Sequence, residues 1–167
     1  MNLRSIFVGV AVLSATLVLA AGVLQFAEGR GNARSEDGRR AGFHFNARKL
    51  TNGEQVRKSG TAVFEISDRE TLDGVRINMR ELRDINVDGH FARFEGPGGI
   101  RFRTRRGVVE RQGQVFVSAR DNRKPDGPVE PRDRVSVRFV AREGNLTYAF
   151  EGVVGDGDVA VGRREVD

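Results

Sequence analysis

From residue 41 onward, apolar side chains fall on every second position in a series of short runs. Ala41, Phe43, Phe45 and Ala47 form the first, Ala62, Phe64 and Ile66 the second, and Val75, Ile77 and Met79 the third. Successive side chains of an extended chain point to opposite faces, so each run predicts a strand with one buried and one wet face. Ile85 and Val87 pair with Ala92 and Phe94 around Asp88-Gly89, and Ile100 and Phe102 begin another run. Leu146, Tyr148 and Phe150, then Val159 and Val161, continue the pattern toward the C-terminus. Turn dipeptides separate the runs: Asn52-Gly53, Asp73-Gly74, Gly98-Gly99, Gln112-Gly113, Gly144-Asn145 and Asp156-Gly157. These tolerate the positive φ angles of tight hairpins, and short turns pair neighbouring strands antiparallel. The chain reads as all-β, either an antiparallel β-sandwich or a closed barrel of about nine short strands, and the pattern serves both equally.

Residues 114–142 organise the rest. Val115, Val117 and Ala119 lie on one face of a strand, and Val135, Val137, Phe139 and Ala141 on one face of the next. Between them Pro125, Pro128 and Pro131 remove backbone donors, so no sheet ladder runs through the connection. Its acids, Asp121, Asp126 and Asp133 with Asn122 and Glu130, are hard oxygen ligands of the kind calcium takes. Arg123, Lys124, Arg132 and Arg134 stand beside them, so two readings remain: a calcium site, or a solvated connector stiffened by proline.

The N-terminus breaks the alternation. Residues 6–24 carry no charge and follow a single basic residue, Arg4. Such a segment is expected as a hydrophobic helix, too long for an ordinary signal core of roughly 7 to 15 residues and close to the roughly 20 a spanning helix needs. Ala20, Ala21 and Ala27 offer small residues for cleavage. Residues 1–27 are therefore expected as a signal peptide or an N-terminal membrane anchor. Residues 28–40, polar and without apolar period, are expected as a disordered spacer, and residues 41–167 as the all-β domain. Cleavage implies a periplasmic or extracellular protein. Retention implies a single-pass membrane protein with its β-domain outside the cytoplasm, touching the membrane only through residues 6–24.

The chain of 167 residues has no cysteine, which excludes disulfides, thiolate metal sites and a cysteine nucleophile. The domain must be held by its core alone. A net charge of +5 is modest, and acids are interspersed with the arginines that make up most of the basic residues. Arg101, Arg103 and Arg105 alternate with Ile100, Phe102 and Thr104, which predicts a strand face lined with guanidinium groups, extended by Arg76 and Arg80. Such a stripe holds acidic polymers, or is a solvated face that resists edge pairing. It lacks the interleaved aromatic residues that single-stranded nucleic-acid binders stack on, so nucleic acid is not the expected partner. His44 and His90 have no zinc-ligand spacing, and no nucleophile elbow surrounds any serine. Paired carboxylates for hydrolysis are a spatial matter that the sequence leaves open. With no tryptophan and only Tyr148, an aromatic sugar platform is not expected.

The run Gly42-Phe43-His44-Phe45-Asn46-Ala47-Arg48, the segment GTAVFEISD over residues 60–68 and Val87-Asp88-Gly89 with Ala92 and Gly96 make one set of motifs. Asp121-Asn122 with Pro125 and Asp133, and Gly157-Asp158-Val159-Ala160-Val161, continue it. In this order they resemble the post-COAP domain, a glycine-rich β-module of bacterial secreted and surface proteins. The loop after Asp121-Asn122 is longer than that family's, and its closing Gly-Gly-Asn-Ile is replaced. The resemblance implies an extracytoplasmic all-β module with no catalytic residue to carry over. The expected function is thus a non-catalytic exported β-domain with a structural or interaction role toward an envelope or extracellular partner, and no cofactor beyond the candidate calcium. The alternatives are a binding module for an acidic polymer through the arginine face, and a hydrolase with an unassigned carboxylate pair.

Overall fold

The computed structural model describes residues 22–122 and 132–166. They form nine antiparallel strands: β1 (Gly22–Arg34), β2 (Arg40–Asn52), β3 (Gln55–Ile66), β4 (Val75–Met79), β5 (Asp84–Asp88), β6 (Phe91–Thr104), β7 (Gly107–Arg120), β8 (Arg134–Ala141) and β9 (Thr147–Val166). Their order in the sheet is β4-β3-β2-β1-β9-β8-β7-β6-β5, and β4 also pairs with β6. That last pairing closes eight strands into a barrel and leaves β5 as an extra strand. It also decides between barrel and sandwich, because closure removes the unpaired edges that β4 and β6 would otherwise present.

Closure depends on the length of β6. Its first half, Phe91 to Glu95, pairs with β5, while Gly98 to Phe102 pair with β4. The change of partner falls at Gly96-Pro97-Gly98, where a Cβ on Gly96 would overlap the Glu81 carbonyl oxygen and one on Gly98 that of Asn78. Glycine alone permits so close an approach of two backbones. The strands are also strongly staggered. Stepping between paired residues from Phe91 leads through Arg120, Arg134, Val153 and Arg34 to Arg40. The adjoining row, Ala41, Ile66 and Val75, meets β6 again at Phe102, near the other end of the same strand. Such a stagger requires steeply tilted strands.

The interior is filled by side chains. Phe45, Phe64, Phe139 and Phe150 are at most 2% exposed, with Ile66, Ile77, Ile85, Ile100 and the valines of β7 and β8 around them. Phe43, Phe45 and Phe64 stack with centroids 5.8 to 6.5 Å apart, and Phe94 meets Phe45 at 5.4 Å. In the strands expected from the sequence the alternation holds, apolar in and polar out apart from outward residues such as Phe91 and Phe116, the reverse of a barrel that crosses a membrane.

Three expectations are corrected. Residues 28–40, expected as a disordered spacer, supply the second half of β1, the turn after it and the first residue of β2, while Gly22–Ala27, assigned to the leader, supply the first half of β1. β1 pairs with β2 and β9 along its whole length. Its inward positions from Ala27 onward are Ala27, Gly29, Gly31 and Ala33, too small to register as a hydrophobic run. A Cβ at Gly29 would strike the Phe45 ring, and one at Gly31 the Asp156 carbonyl oxygen. The domain thus begins at or before Gly22 rather than at residue 41.

Second, Asp156-Gly157 is not a turn but lies inside β9, a single strand of 20 residues. Gly157 pairs with Gly31 beside a register shift, each so close to the opposite backbone that no side chain fits. Gly98-Gly99 and Gln112-Gly113 likewise sit within β6 and β7. Third, the turn between those strands is at Arg105-Arg106, so Arg105 is not on a strand face. The expected N-terminal helix lies in residues outside those described, apart from residues 22–24, which are strand.

Candidate functional site

The loop expected to hold calcium is anchored by one of its own acids. Asp133 is 1% exposed. Its carboxylate accepts backbone N–H bonds from Asn122 at 2.9 Å and Val159 at 3.2 Å, and its carbonyl oxygen accepts one from Val154 at 2.9 Å. β8 pairs with β9 only through Val153, so Asp133 takes up donors on the stretch of β9 that β8 does not reach. It is a structural anchor. Asp121 holds the same corner through its N–H to the His90 carbonyl, while Asp126 lies outside the described residues. Among the described residues, no three His, Asp or Glu side chains are placed to hold a metal ion.

The predicted arginine stripe is divided. Arg101 and Arg103 project outward from β6, but Arg105 is in the turn. Arg101 pairs across the ladder with Arg76 on one side and Glu110 on the other, and Arg76 meets Glu65 at 3.7 Å. The row Glu65, Arg76, Arg101, Glu110 is therefore charge-balanced.

At the rim formed by the β1–β2 turn, Tyr148 donates to Asp68 at 2.7 Å and accepts from the Arg39 guanidinium at 3.2 Å. Arg39 also donates to the Ala149 carbonyl and pairs with Asp37 at 2.8 Å. Burial, together with the hydrogen bond to Asp68, pushes the Tyr148 hydroxyl up to about 12. The Asp37 carboxyl is held below its ordinary value by the Ser35 hydroxyl and the Arg39 N–H. On the opposite rim, burial opposes the charge of Asp84, but hydrogen bonds from Lys58 and Lys49 outweigh it and lower its pKa. Both displaced carboxylates are thus stabilised as anions, the opposite of what a general acid requires.

Sequence reasoning missed a different face. On the outside of β6, β7 and β8, three rows cross the strands: Phe91, Arg120, Arg134; then Arg93, Ser118, Ser136; then Glu95, Phe116, Arg138. Each position is adjacent to the next along a ladder, with about 5 Å between strands and about 7 Å between rows. Arg93 and Arg120 lie over the Phe91 ring, 5.0 and 5.4 Å from its centroid, and Arg138 lies 4.6 Å over Phe116. Arg134 pairs with Glu151 at 3.7 Å. Among the described residues, no carboxylate lies within 4.0 Å of Arg93, Arg120 or Arg138. The small serines at the centre leave two adjoining depressions of about 260 and 530 Å³. The signal in the sequence was an aromatic residue on the polar phase of the alternation: Phe116 between Val115 and Val117, and Phe91 before Ala92.

No family model, no curated protein and no solved structure matches this chain.

Proposed function

We propose that the chain is an exported, non-catalytic interaction module of the bacterial envelope or exterior that works through the outer surface of its barrel. The observation that carries this reading is the filled interior: the phenylalanines of β2, β3, β6, β8 and β9 occupy the volume where a barrel would otherwise hold a small ligand. The downward-displaced carboxylates support the non-catalytic part, and the uncharged segment at residues 6–24 supports export. β1 limits how that segment is processed. A cut after Ala27 would delete Gly22–Ala27, which pair with residues 47–51 of β2 and 161–166 of β9. Cleavage at Ala20 or Ala21 spares the barrel, as does a retained anchor.

Cell fractionation with N-terminal sequencing tests this. An extracytoplasmic protein whose first residue lies at or before Gly22 is the expected result. A cytoplasmic protein that keeps Met1 would overturn export, and a mature form starting at Glu28 would overturn the role given to β1.

A further inference from the structure

We propose that the outer face of β6, β7 and β8 binds an acidic polysaccharide, laid across the strands over Ser118 and Ser136 and held by Arg93, Arg120 and Arg138. This deepens the interaction-module reading and rests on it.

Arg120 and Arg134 are direct cross-strand partners, a like-charge pair that concentrates positive charge at this end of the patch. The fold supplies Arg134 with Glu151 but gives Arg93, Arg120 and Arg138 aromatic rings instead of acids. A guanidinium resting on a ring face is held in place, yet its N–H edges stay free for a bidentate anion. The Ser118 and Ser136 hydroxyls are themselves cross-strand partners with no protein hydrogen-bond partner among the described residues. They offer both donors and acceptors, as sugar hydroxyls require.

The chemistry favours a polysaccharide over single-stranded nucleic acid. Bases need bare aromatic faces to stack on, and here both rings are already covered by arginine. A sugar polymer bearing carboxylate or sulfate groups needs spaced cations and small hydrogen-bonding residues between them. Glu95 on β6 stands beside Phe116 and Glu151 on β9 beside Ser136, so acids bound the patch on both sides and the anionic track runs from Arg120 past the serines to Arg138.

The test uses the full chain as the cell makes it, with alginate and heparin as probes and oligo-dT as the competing class. Affinity is measured at physiological salt for the wild type, the triple variant Arg93→Ser, Arg120→Ser, Arg138→Ser, and the control Arg76→Ser, Arg101→Ser, Arg103→Ser. The two triple variants lose the same formal charge. The proposal expects the first to weaken polysaccharide binding by at least about tenfold and the control by less than about twofold, since charge-assisted contacts are lost only in the first. Equal losses would mean a diffuse field and would overturn the site. So would undiminished binding by Arg→Lys replacements at the same three positions, because lysine keeps the charge but lacks the fork. Tighter binding of oligo-dT than of either polysaccharide would overturn the ligand class. Export without polysaccharide binding would remove this site and leave the interaction-module reading standing.

Discussion

The two ends of β6 carry arginines on the same outer surface and are built in opposite ways. Toward the C-terminal end, Arg101 sits in a row bounded by Glu65 and Glu110, and Arg76 beside it has an acid partner. Toward the N-terminal end, Arg93 faces Ser118, Arg120 faces Arg134, and the rings of Phe91 and Phe116 lie beneath the guanidinium groups. The first arrangement sets two acids beside two arginines in one neutral row, with Arg76 ion-paired to Glu65 at 3.7 Å. The second rests three guanidinium groups on aromatic rings with no carboxylate within 4.0 Å among the described residues, the contrast on which the proposed binding face rests. The bend at Gly96-Pro97-Gly98 separates the two by turning β6 from β5 to β4.

The largest effect comes from breaking the support of the second face while leaving the first alone. Asp133 precedes Arg134 and ties the β7–β8 connection to β9, so Asp133→Ala strands two backbone donors in a buried site. A loss of about 3 kcal/mol is expected in urea unfolding, given the cost of unpaired buried polar groups. A variant as stable as the wild type would mean that Asp133 does not anchor this corner.

A smaller effect sharpens the contrast between engaged and available arginines. Arg39 is engaged, sharing the Tyr148 hydroxyl with Asp68. Because burial and Asp68 raise the Tyr148 pKa from 10.0 to about 12, the protonated hydroxyl is favoured in the folded state. The resulting stability is fully present below pH 10 and is lost as pH rises toward 12. Tyr148 is the only tyrosine and there is no tryptophan, so absorbance of the phenolate reports this group alone. A midpoint near 12 is expected; one near 10 would show the hydroxyl free of the network. Tyr148→Phe should remove this part of the alkaline stability loss.

The smallest effect is the most diagnostic. Double-mutant cycles on Arg120 with Arg134 and on Arg101 with Glu110 should give couplings of opposite sign, each about 0.2 to 1 kcal/mol, repulsive for the first and attractive for the second. Both should shrink as salt is raised. Couplings of the same sign would erase the difference between the two ends.

Much of the strand pattern was legible because Phe, Ile and Val announce their own burial: Phe43, Phe45, Phe64, Ile77 and Val117 all point inward as the alternation requires. β1 was not legible, since its first half belongs to the apolar run read as a leader and its second half, with Gly29 and Gly31 facing inward, carries no hydrophobic run. The face of Arg93, Arg120 and Arg138 was not legible. Clustered arginines at residues 101–105 stood out, but what matters about an arginine is its neighbour on the next strand, and that neighbour is remote in sequence. Asp133 illustrates the same point: its sequence places it among several acids of one loop, and only the path of β9 makes it a buried anchor.

The order of residues determined by itself that the body is extended, antiparallel, free of disulfides and alternately apolar and polar, because those properties follow from period, turn chemistry and composition. Tertiary structure decided that the sheet closes through β4 and β6, that Gly22–Arg34 belongs to it, and that Arg93, Arg120 and Arg138 share a face with two serines. These are matters of register between distant strands, and register depends on packing all strands around one core at once.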